Sequence, residues 1–241
     1  MIKDYRPYYI KKTWYRLQAL YIRHRLAPKL KYLGAHPFIT KPWHIEVFGW
    51  PVSIGSHVTL LGCSDKKTRL TVWADTNAID GIMIGDHVLI SPGVRISAAK
   101  QITIADACML ASHVYITDSD WHGIYDRSMP SNDIQPVALE ENVWVGDSAV
   151  ICKGVTIGRN SIVGAGSVVS SDIPSNVIAA GNPAKIIKPL DSEKTITTRK
   201  DRFSDWEKMM VSLESAEKKN LEGNTFFGWI KSLIIPEKLH Q

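Results

Sequence analysis

The sequence predicts a mainly β fold, a parallel β-helix built from short repeated coils, and a strict period of six supports it. Every sixth residue is aliphatic along one stretch: Leu139, Val145, Ile151, Ile157, Val163 and Val169. The positions four residues later are small or β-branched, and glycine directly follows three of the aliphatic positions. This period fits neither an α-helix nor a long strand. It fits a chain that forms a short strand, turns a corner and repeats, so that each coil buries its neighbour.

The composition is that of a mildly basic chain with few cysteines. Its 241 residues are enough for one large domain with appendages. The formal net charge of +5 suits anionic ligands, and by itself it does not indicate a nucleic-acid partner, which we do not expect. Three cysteines without a CxxC motif predict reduced thiols. The sequence has no long apolar run and no signal-peptide pattern, so we expect a cytoplasmic protein.

Residues 1–43 are predicted to form a basic N-terminal helical segment followed by a linker. The first 33 residues carry nine Lys or Arg and a single acidic residue. Trp14, Leu17 and Tyr21 recur at helical spacing, which predicts a helix around residues 10–26. We favour a terminal helix that packs on the domain. The alternative is a basic, aromatic helix that lies on an anionic membrane surface, at the inner face of the membrane.

The repeats occupy residues 44–190, and a long loop interrupts them. Apart from an interruption at residues 62–78 and two inserted residues near Lys100, the period continues to Ile116, and it returns at Val137. Between these points, residues 117–136 form a polar loop rich in Asp, Ser and Pro. A solenoid that loses its period for about twenty residues has usually made a functional excursion, so we expect this loop to shape a site.

Residues 191–241 are predicted to form a C-terminal helical extension. Phe203, Trp206 and Met210 recur on one face of a helix expected over residues 195–220. The apolar segment FFGWIKSLI follows, and it has two interpretations. In the first, it covers an end of the stack, because terminal coils need caps. In the second, it contacts a membrane or a partner protein.

Five polar residues share one place in the repeat, three residues after an aliphatic one. They are His57, His87, His113, Asn142 and Asn160. Histidine and asparagine both tolerate a positive φ, so we predict that all five form corners between strands. This explanation requires no function of them.

The run NVWVGDSAVICKGVTIGRNSIVGAGSVVSSDIPSNVIAAGNPAKII resembles the hexapeptide-repeat acyltransferases, most closely the maltose, galactoside and surface-polysaccharide O-acetyltransferases. The motifs VWVG, GVTIG, GAGSVV, DIP and AGNPAK occur in this order. The resemblance covers about residues 80–190 strongly and neither terminus. It implies a left-handed parallel β-helix, here with flanking N- and C-terminal helices, and a homotrimer with its cleft between neighbouring subunits.

The activity that the resemblance implies is acetyl transfer from acetyl-CoA, as co-substrate, to a hydroxyl of a sugar or of a cell-surface polysaccharide precursor. No metal is expected. The resemblance makes His122, which lies outside the repeat, the general base, since imidazole exchanges protons near neutral pH. Asp120 or Asp118 would orient the imidazole and stabilise its protonated form. The plain alternative is an exposed loop histidine that makes a turn hydrogen bond.

The cofactor-binding residues are likewise carried over from the resemblance. Trp144 would line the cleft, Ala165 would lie against the pantetheine arm, and Ser170 matches a hydroxyl position on the same edge. Lys185 and Lys188 match basic residues that contact the CoA phosphates, which lysine binds as a point charge. An alternative for Trp144 is packing at the trimer seam.

Two other functions stay open on the same fold. A zinc lyase of the γ-carbonic-anhydrase type needs three convergent histidines, and His87, His113 and His122 are the candidates for such a site. A non-catalytic β-helix scaffold or binding protein would bind no CoA and would be unaffected by His122→Ala. An amine in place of a hydroxyl acceptor also stays open.

Overall fold

The computed structural model describes residues 4–74 and 80–235, in which six three-sided coils are stacked. The first sheet contains β1 (Tyr32–Leu33), β4 (Val52–Ile54), β7 (Gly81–Ile84), β10 (Gln101–Ile104), β13 (Val137–Leu139) and β16 (Thr156–Ile157). The second contains β2 (Phe38–Thr40), β5 (Thr59–Leu61), β8 (Leu89–Ile90), β11 (Met109–Leu110), β14 (Trp144–Val145), β17 (Ile162–Val163), β19 (Val177–Gly181) and β20 (Ala184–Pro189). The third contains β3 (Ile45–Phe48), β6 (Thr68–Val72), β9 (Arg95–Ala98), β12 (Tyr115–Thr117), β15 (Val150–Ile151) and β18 (Val168–Val169).

Each coil visits the three sheets in turn, and this confirms the mainly β class and the parallel β-helix. All strand pairs within the three sheets are parallel except β19 with β20, which form an antiparallel hairpin at the end of the stack. We name the corners in chain order: the first joins the first and second sheets, the second joins the second and third, and the third returns to the first sheet. The third corner therefore lies opposite the second sheet.

The inward positions of the strands are the aliphatic positions of the six-residue period. All six residues from Leu139 to Val169 at this spacing are at most 1% exposed. The strand register places the aliphatic residues of successive coils next to each other: Ile104 lies beside Leu139, and Leu139 beside Ile157. Burial of these side chains in continuous columns stabilises each coil against the next.

The predicted corners are confirmed by their backbone geometry. His57, His87, His113, Asn142 and Asn160 all have φ between 55° and 61°. Successive side chains of the first corner also contact one another. The His57 and His87 rings stack with centroids 5.2 Å apart, and the Asn142 amide donates to Asn160 Oδ1 at 3.0 Å.

The stack begins earlier than we predicted, because β1 and β2 lie in the segment expected to be helix and linker. Tyr32 pairs with Ser53 and Phe38 with Thr59, so this segment forms most of the first coil. Pro37 and Pro42 in this segment are also typical of a linker. Pro42 instead begins a 3₁₀ turn, where its fixed φ and its missing N–H are tolerated.

The helices lie toward the two ends of the chain: α1 (Tyr8–Tyr21), α2 (Arg199–Arg202), α3 (Trp206–Asn220) and α4 (Phe226–Ile234). The helix expected around residues 10–26 is α1 and the π turn after it, and the helix expected over 195–220 is divided into α2 and α3. Residues 1–20 and 203–241 make up one compact unit, and residues 21–202 another. In the first unit Lys11 pairs with Glu217 at 2.6 Å.

Within residues 4–74 and 80–235, no helix combines the length and the apolar character needed to span a bilayer.

Replacing an inward residue is expected to destabilise the stack far more than replacing its outward neighbour. Ile157 is fully buried and Thr156, on the same strand, is exposed. We expect Ile157→Ala to lower the free energy of unfolding by about 2–5 kcal/mol, through lost burial and a residual cavity. Thr156→Ala is the control and should change it by about 0.5 kcal/mol or less. Chemical denaturation measures both, and equal effects would contradict the assigned register.

Candidate functional site

The loop between β12 and β13 leaves the third corner as a narrow antiparallel hairpin, which we call the excursion hairpin (residues 118–136). Ser119 bridges Ile134, and His122 bridges Pro130. Backbone hydrogen bonds continue this pairing, from Gln135 N to Asp118 O at 3.0 Å and from Gly123 N to Met129 O at 3.1 Å. The pairing gives the backbone of His122 a defined position on the outgoing limb.

Asp118 lies at the root of the hairpin and is fully buried. Its carboxylate accepts hydrogen bonds from the backbone N–H groups of the preceding coil's third corner: Ala99 at 2.6 Å, Lys100 at 2.8 Å and Gln101 at 2.8 Å. Charge-assisted bonds of this kind are stronger than neutral ones. Within residues 4–74 and 80–235 no hydrogen bond joins Asp118 to His122, and the orienting role of Asp118 stays a prediction. Asp118 connects the hairpin to the coil before it.

Asp120, the other predicted partner of His122, forms an ion pair with Lys153. The same ammonium also binds the carboxylate of Asp133, on the returning limb. Hydrogen bonding to both carboxylates raises the pKa of Lys153, and the bond from Lys153 lowers the pKa of Asp133. Across the described part of the chain, Asp120 makes no hydrogen bond to the imidazole of His122. Its role as an orienting group stays a prediction.

The backbone around His122 is shaped by its two neighbours. Trp121 has a φ of 66°, and its indole N–H donates to Thr117 Oγ1 at 3.1 Å. At Gly123 a Cβ atom would lie 2.6 Å from the carbonyl oxygen of Asp126, so only glycine fits without a shift. His122 itself is exposed, and among the described residues nothing bonds to its imidazole. Both ring nitrogens can therefore face a substrate.

Trp144 and Lys188 share an outward column on the second sheet. Trp144 pairs with Ile162, Ile162 with Ile178, and Ile178 with Lys188. Trp144 is 46% exposed, and Lys185 and Lys188 are exposed on the β19–β20 hairpin. Three strand spacings separate Trp144 from Lys188, about 14 Å. Lys185 lies beside this column, opposite Ala180. An aromatic ring, one cation in its column and a second cation next to it suit an extended ligand with anionic groups.

Ala165 and Ser170 lie at the two ends of β18, on the second and third corners, and both are exposed. Next to Ala165, Gly166 has a φ of 67°, and a Cβ atom added there would meet nothing within 4 Å. The second corner therefore has open space on one side of Gly166, whose backbone N–H donates to Asp147 O at 2.7 Å. A small side chain beside open space fits the pantetheine arm predicted for this place.

One chain does not bring all the predicted site residues together. His122, Asp118 and Asp120 belong to the third corner, whereas Trp144 and Lys188 lie on the second sheet, on the opposite side of the coil. The body of the β-helix separates the two groups. A site that uses both groups requires a second copy of the chain.

The three histidines imagined for a zinc site occupy three different corners: His87 the first, His113 the second and His122 the third. The imidazole of His113 has an aspartate neighbour, with Nδ1 3.9 Å from Asp147 Oδ1. A search of the described residues finds no group of three or more metal-binding side chains. The lyase alternative therefore has no convergent histidine set within one described chain.

Lys153 is the site residue that the sequence analysis missed. It lies on the third corner of the coil that follows the excursion hairpin, directly after β15 and Cys152. Its position in the repeat was a usable signal, because every third corner stacks on the one before it. A lysine there faces a loop that contains four aspartates.

Removing the charge of Asp118 is expected to destabilise the coil rather than act on chemistry alone. For Asp118→Asn we expect a loss of about 2–3 kcal/mol in the free energy of unfolding, because bonds from backbone N–H groups to a charged acceptor are the stronger ones. Asp126→Asn, at the exposed tip of the hairpin, is the control and should cost about 0.5 kcal/mol or less. Denaturant unfolding compares the two, and an unchanged stability in Asp118→Asn would show that the three amides do not need the carboxylate.

Comparison with known proteins agrees with the repeat and the fold. Residues 136–171 match the bacterial transferase hexapeptide (six repeats) family. The chain is 30% identical over 159 residues to the galactoside O-acetyltransferase of Lactococcus lactis subsp. lactis (strain IL1403), which covers 66% of this chain and 63% of that enzyme. It is also 30% identical over 143 residues to a Staphylococcus aureus (strain Mu50) protein that carries the name acetyltransferase, covering 59% of this chain and 72% of that protein.

A solved structure shows a similar fold. A mutant of AntD, an N-acyltransferase from Bacillus cereus in complex with dTDP-4-amino-4,6-dideoxyglucose and coenzyme A, has a TM-score of 0.57 at 19% identity, over 82% of this chain and 95% of that one. At that identity the likeness supports the fold alone. The chain spans about three fifths of the length of the first curated relatives that it matches. With the repeat, the fold and the similarity to the staphylococcal protein together, the chain belongs to the bacterial transferase hexapeptide family.

Proposed function

We propose that this chain is an acetyl-CoA-dependent O-acetyltransferase that acts on a hydroxyl of a sugar or of a cell-surface polysaccharide precursor. Its family and its similarity to a galactoside O-acetyltransferase support the reaction class. The observation that carries the proposal is the placement of His122. Its imidazole is exposed on a hairpin that is tied to the coil at its root, outside the corners that explain other histidines.

In the proposed mechanism His122 acts as the general base. One nitrogen of its imidazole accepts the proton of the acceptor hydroxyl as that oxygen forms a bond to the acetyl carbonyl carbon. The imidazolium then returns the proton to the departing sulfur. Acetyl-CoA supplies the acetyl group as a thioester. A backbone N–H group in the cleft would stabilise the oxyanion.

The binding residues for CoA are proposed on the second sheet, on the second corner and, for Ser170, on the third corner. Lys185 and Lys188 would contact the phosphates, and Ala165 would lie along the pantetheine arm. Trp144 and Ser170 would flank it. Because Trp144, Lys185 and Lys188 lie on the second sheet, opposite the excursion hairpin, we propose a homotrimer in which His122 of one subunit completes the CoA site of its neighbour.

The location of the protein also stays a proposal. We propose a cytoplasmic protein that contacts the inner face of the membrane peripherally. The exposed apolar side chains of α4, among them Phe227 and Ile234, support such a contact, as does the absence of acidic residues from that helix.

We expect one variant to lose turnover but keep cofactor binding, and another to lose affinity for the cofactor. His122→Ala should lower the rate of acetyl transfer to a galactoside by about 100- to 10,000-fold, because it removes the base. Its affinity for acetyl-CoA, measured by calorimetry, should be unchanged. The double change Lys185→Ala with Lys188→Ala should weaken that affinity, because it removes two phosphate contacts.

Two matched controls accompany this test. His24→Ala removes another exposed histidine, and Lys218→Ala with Lys219→Ala removes two exposed lysines from α3; neither should affect catalysis or binding. Full activity in His122→Ala would exclude the general-base role. If the wild type binds no acyl-CoA at all, the transferase proposal fails and the scaffold alternative takes its place. Transfer to an amino sugar but not to a galactoside would revise the acceptor from a hydroxyl to an amine.

A further inference from the structure

Lys153 joins the two limbs of the excursion hairpin. Its ammonium forms ion pairs with Asp120 on the outgoing limb and with Asp133 on the returning limb. The two aspartates directly follow and precede the Ser119–Ile134 bridge, on the side toward the tip. The Lys153 side chain is 17% exposed, whereas the side chains of Asp120 and Asp133 are 46% and 54% exposed, so the lysine is largely covered while both carboxylates also face water.

The corner that carries Lys153 also contacts the returning limb through its backbone. Gly154 N donates to Gln135 O at 3.0 Å. Gly154 has a φ of 73°, and a Cβ atom there would lie 2.4 Å from Gln135 Oε1, so the limb rests closely on this corner. Gln135 in turn donates from its side chain to Asp133 at 2.8 Å. Several neighbouring contacts therefore attach the excursion hairpin to the coil that follows it.

The position of His122 depends on the same ion pairs. The backbone N–H of His122 donates to the carbonyl oxygen of Asp120 at 2.8 Å. Asp120 therefore contacts both Lys153, through its side chain, and His122, through its backbone. Without the lysine, Asp120 and Asp133 would face each other as uncompensated like charges. Their repulsion would open the hairpin next to His122.

We infer that Lys153 is a positioning residue, which closes the base of the excursion hairpin and so fixes His122 for proton transfer. The inference rests on the proposed function for the catalytic role of His122. It does not depend on that function for the order of the hairpin itself. Lys153 touches neither the acceptor nor CoA in this account, so its effect is on placement alone.

The test compares Lys153→Ala, Lys153→Arg and the control Lys100→Ala in the full chain. Lys100 is an exposed lysine on the third corner one coil before the excursion hairpin and two coils before Lys153, and it is its backbone N–H that is bonded to Asp118. Hydrogen exchange of the amides in residues 119–135 reports hairpin order independently of activity. We expect at least about tenfold faster exchange in Lys153→Ala, and slower exchange restored in Lys153→Arg, which keeps the charge.

The kinetic readout separates positioning from a general loss of folding. In Lys153→Ala we expect kcat to fall about 10- to 100-fold, because a small displacement of a catalytic group is costly, while KM for acetyl-CoA stays the same. Lys100→Ala should resemble the wild type in both measurements. Unchanged exchange in Lys153→Ala, or faster exchange with an unchanged kcat, would overturn the inference. Faster exchange in a chain whose wild type transfers no acetyl group would instead overturn the proposed function and leave the closure of the hairpin by Lys153 standing.

Discussion

Stacked aliphatic side chains inside the coils are the interaction on which the rest of the structure depends. Two-residue strands such as β16 bury one such residue and longer strands such as β13 bury two, and the register places each beside the equivalent residue of the next coil. To repeat this every six residues the chain must turn a sharp corner after each strand, often with a positive φ. The corners are therefore the only places in a coil where extra chain can leave without breaking a column of the core.

The excursion hairpin leaves the stack at such a corner. It has no apolar core of its own, and polar contacts hold it in place. Asp118 binds the corner of the coil before it, and Lys153 and Gly154 bind it to the coil after it. The hairpin is therefore held from both sides along the stack, while its tip and His122 stay exposed. A general base on a loop needs both properties: the base of the loop must be ordered, and the reactive side chain must be exposed.

The sequence predicted the repeating features well because they depend on near neighbours. The buried positions, the corners with His57 and Asn142, and the break in the period at residues 117–136 all follow from local pattern. The start of the stack did not, because the prolines of the first coil are equally typical of a linker. The partners of Asp118 were also missed: they lie 17 to 19 residues earlier, about one coil away, and meet it only after the chain has turned three corners.

The central claim is that the site is shared between copies, because the His122 hairpin and the Trp144–Lys188 column lie on opposite sides of one chain. The most direct measurement mixes His122→Ala with the Lys185→Ala, Lys188→Ala double variant by reversible unfolding and reassembly, and assays transfer at an acetyl-CoA concentration that is too low for the double variant to bind. In a shared-site trimer formed from equal amounts, about a quarter of the sites would combine an intact histidine with intact lysines, so about a quarter of wild-type acetyl transfer should return. Activity no higher than that of the two variants measured separately would contradict the account.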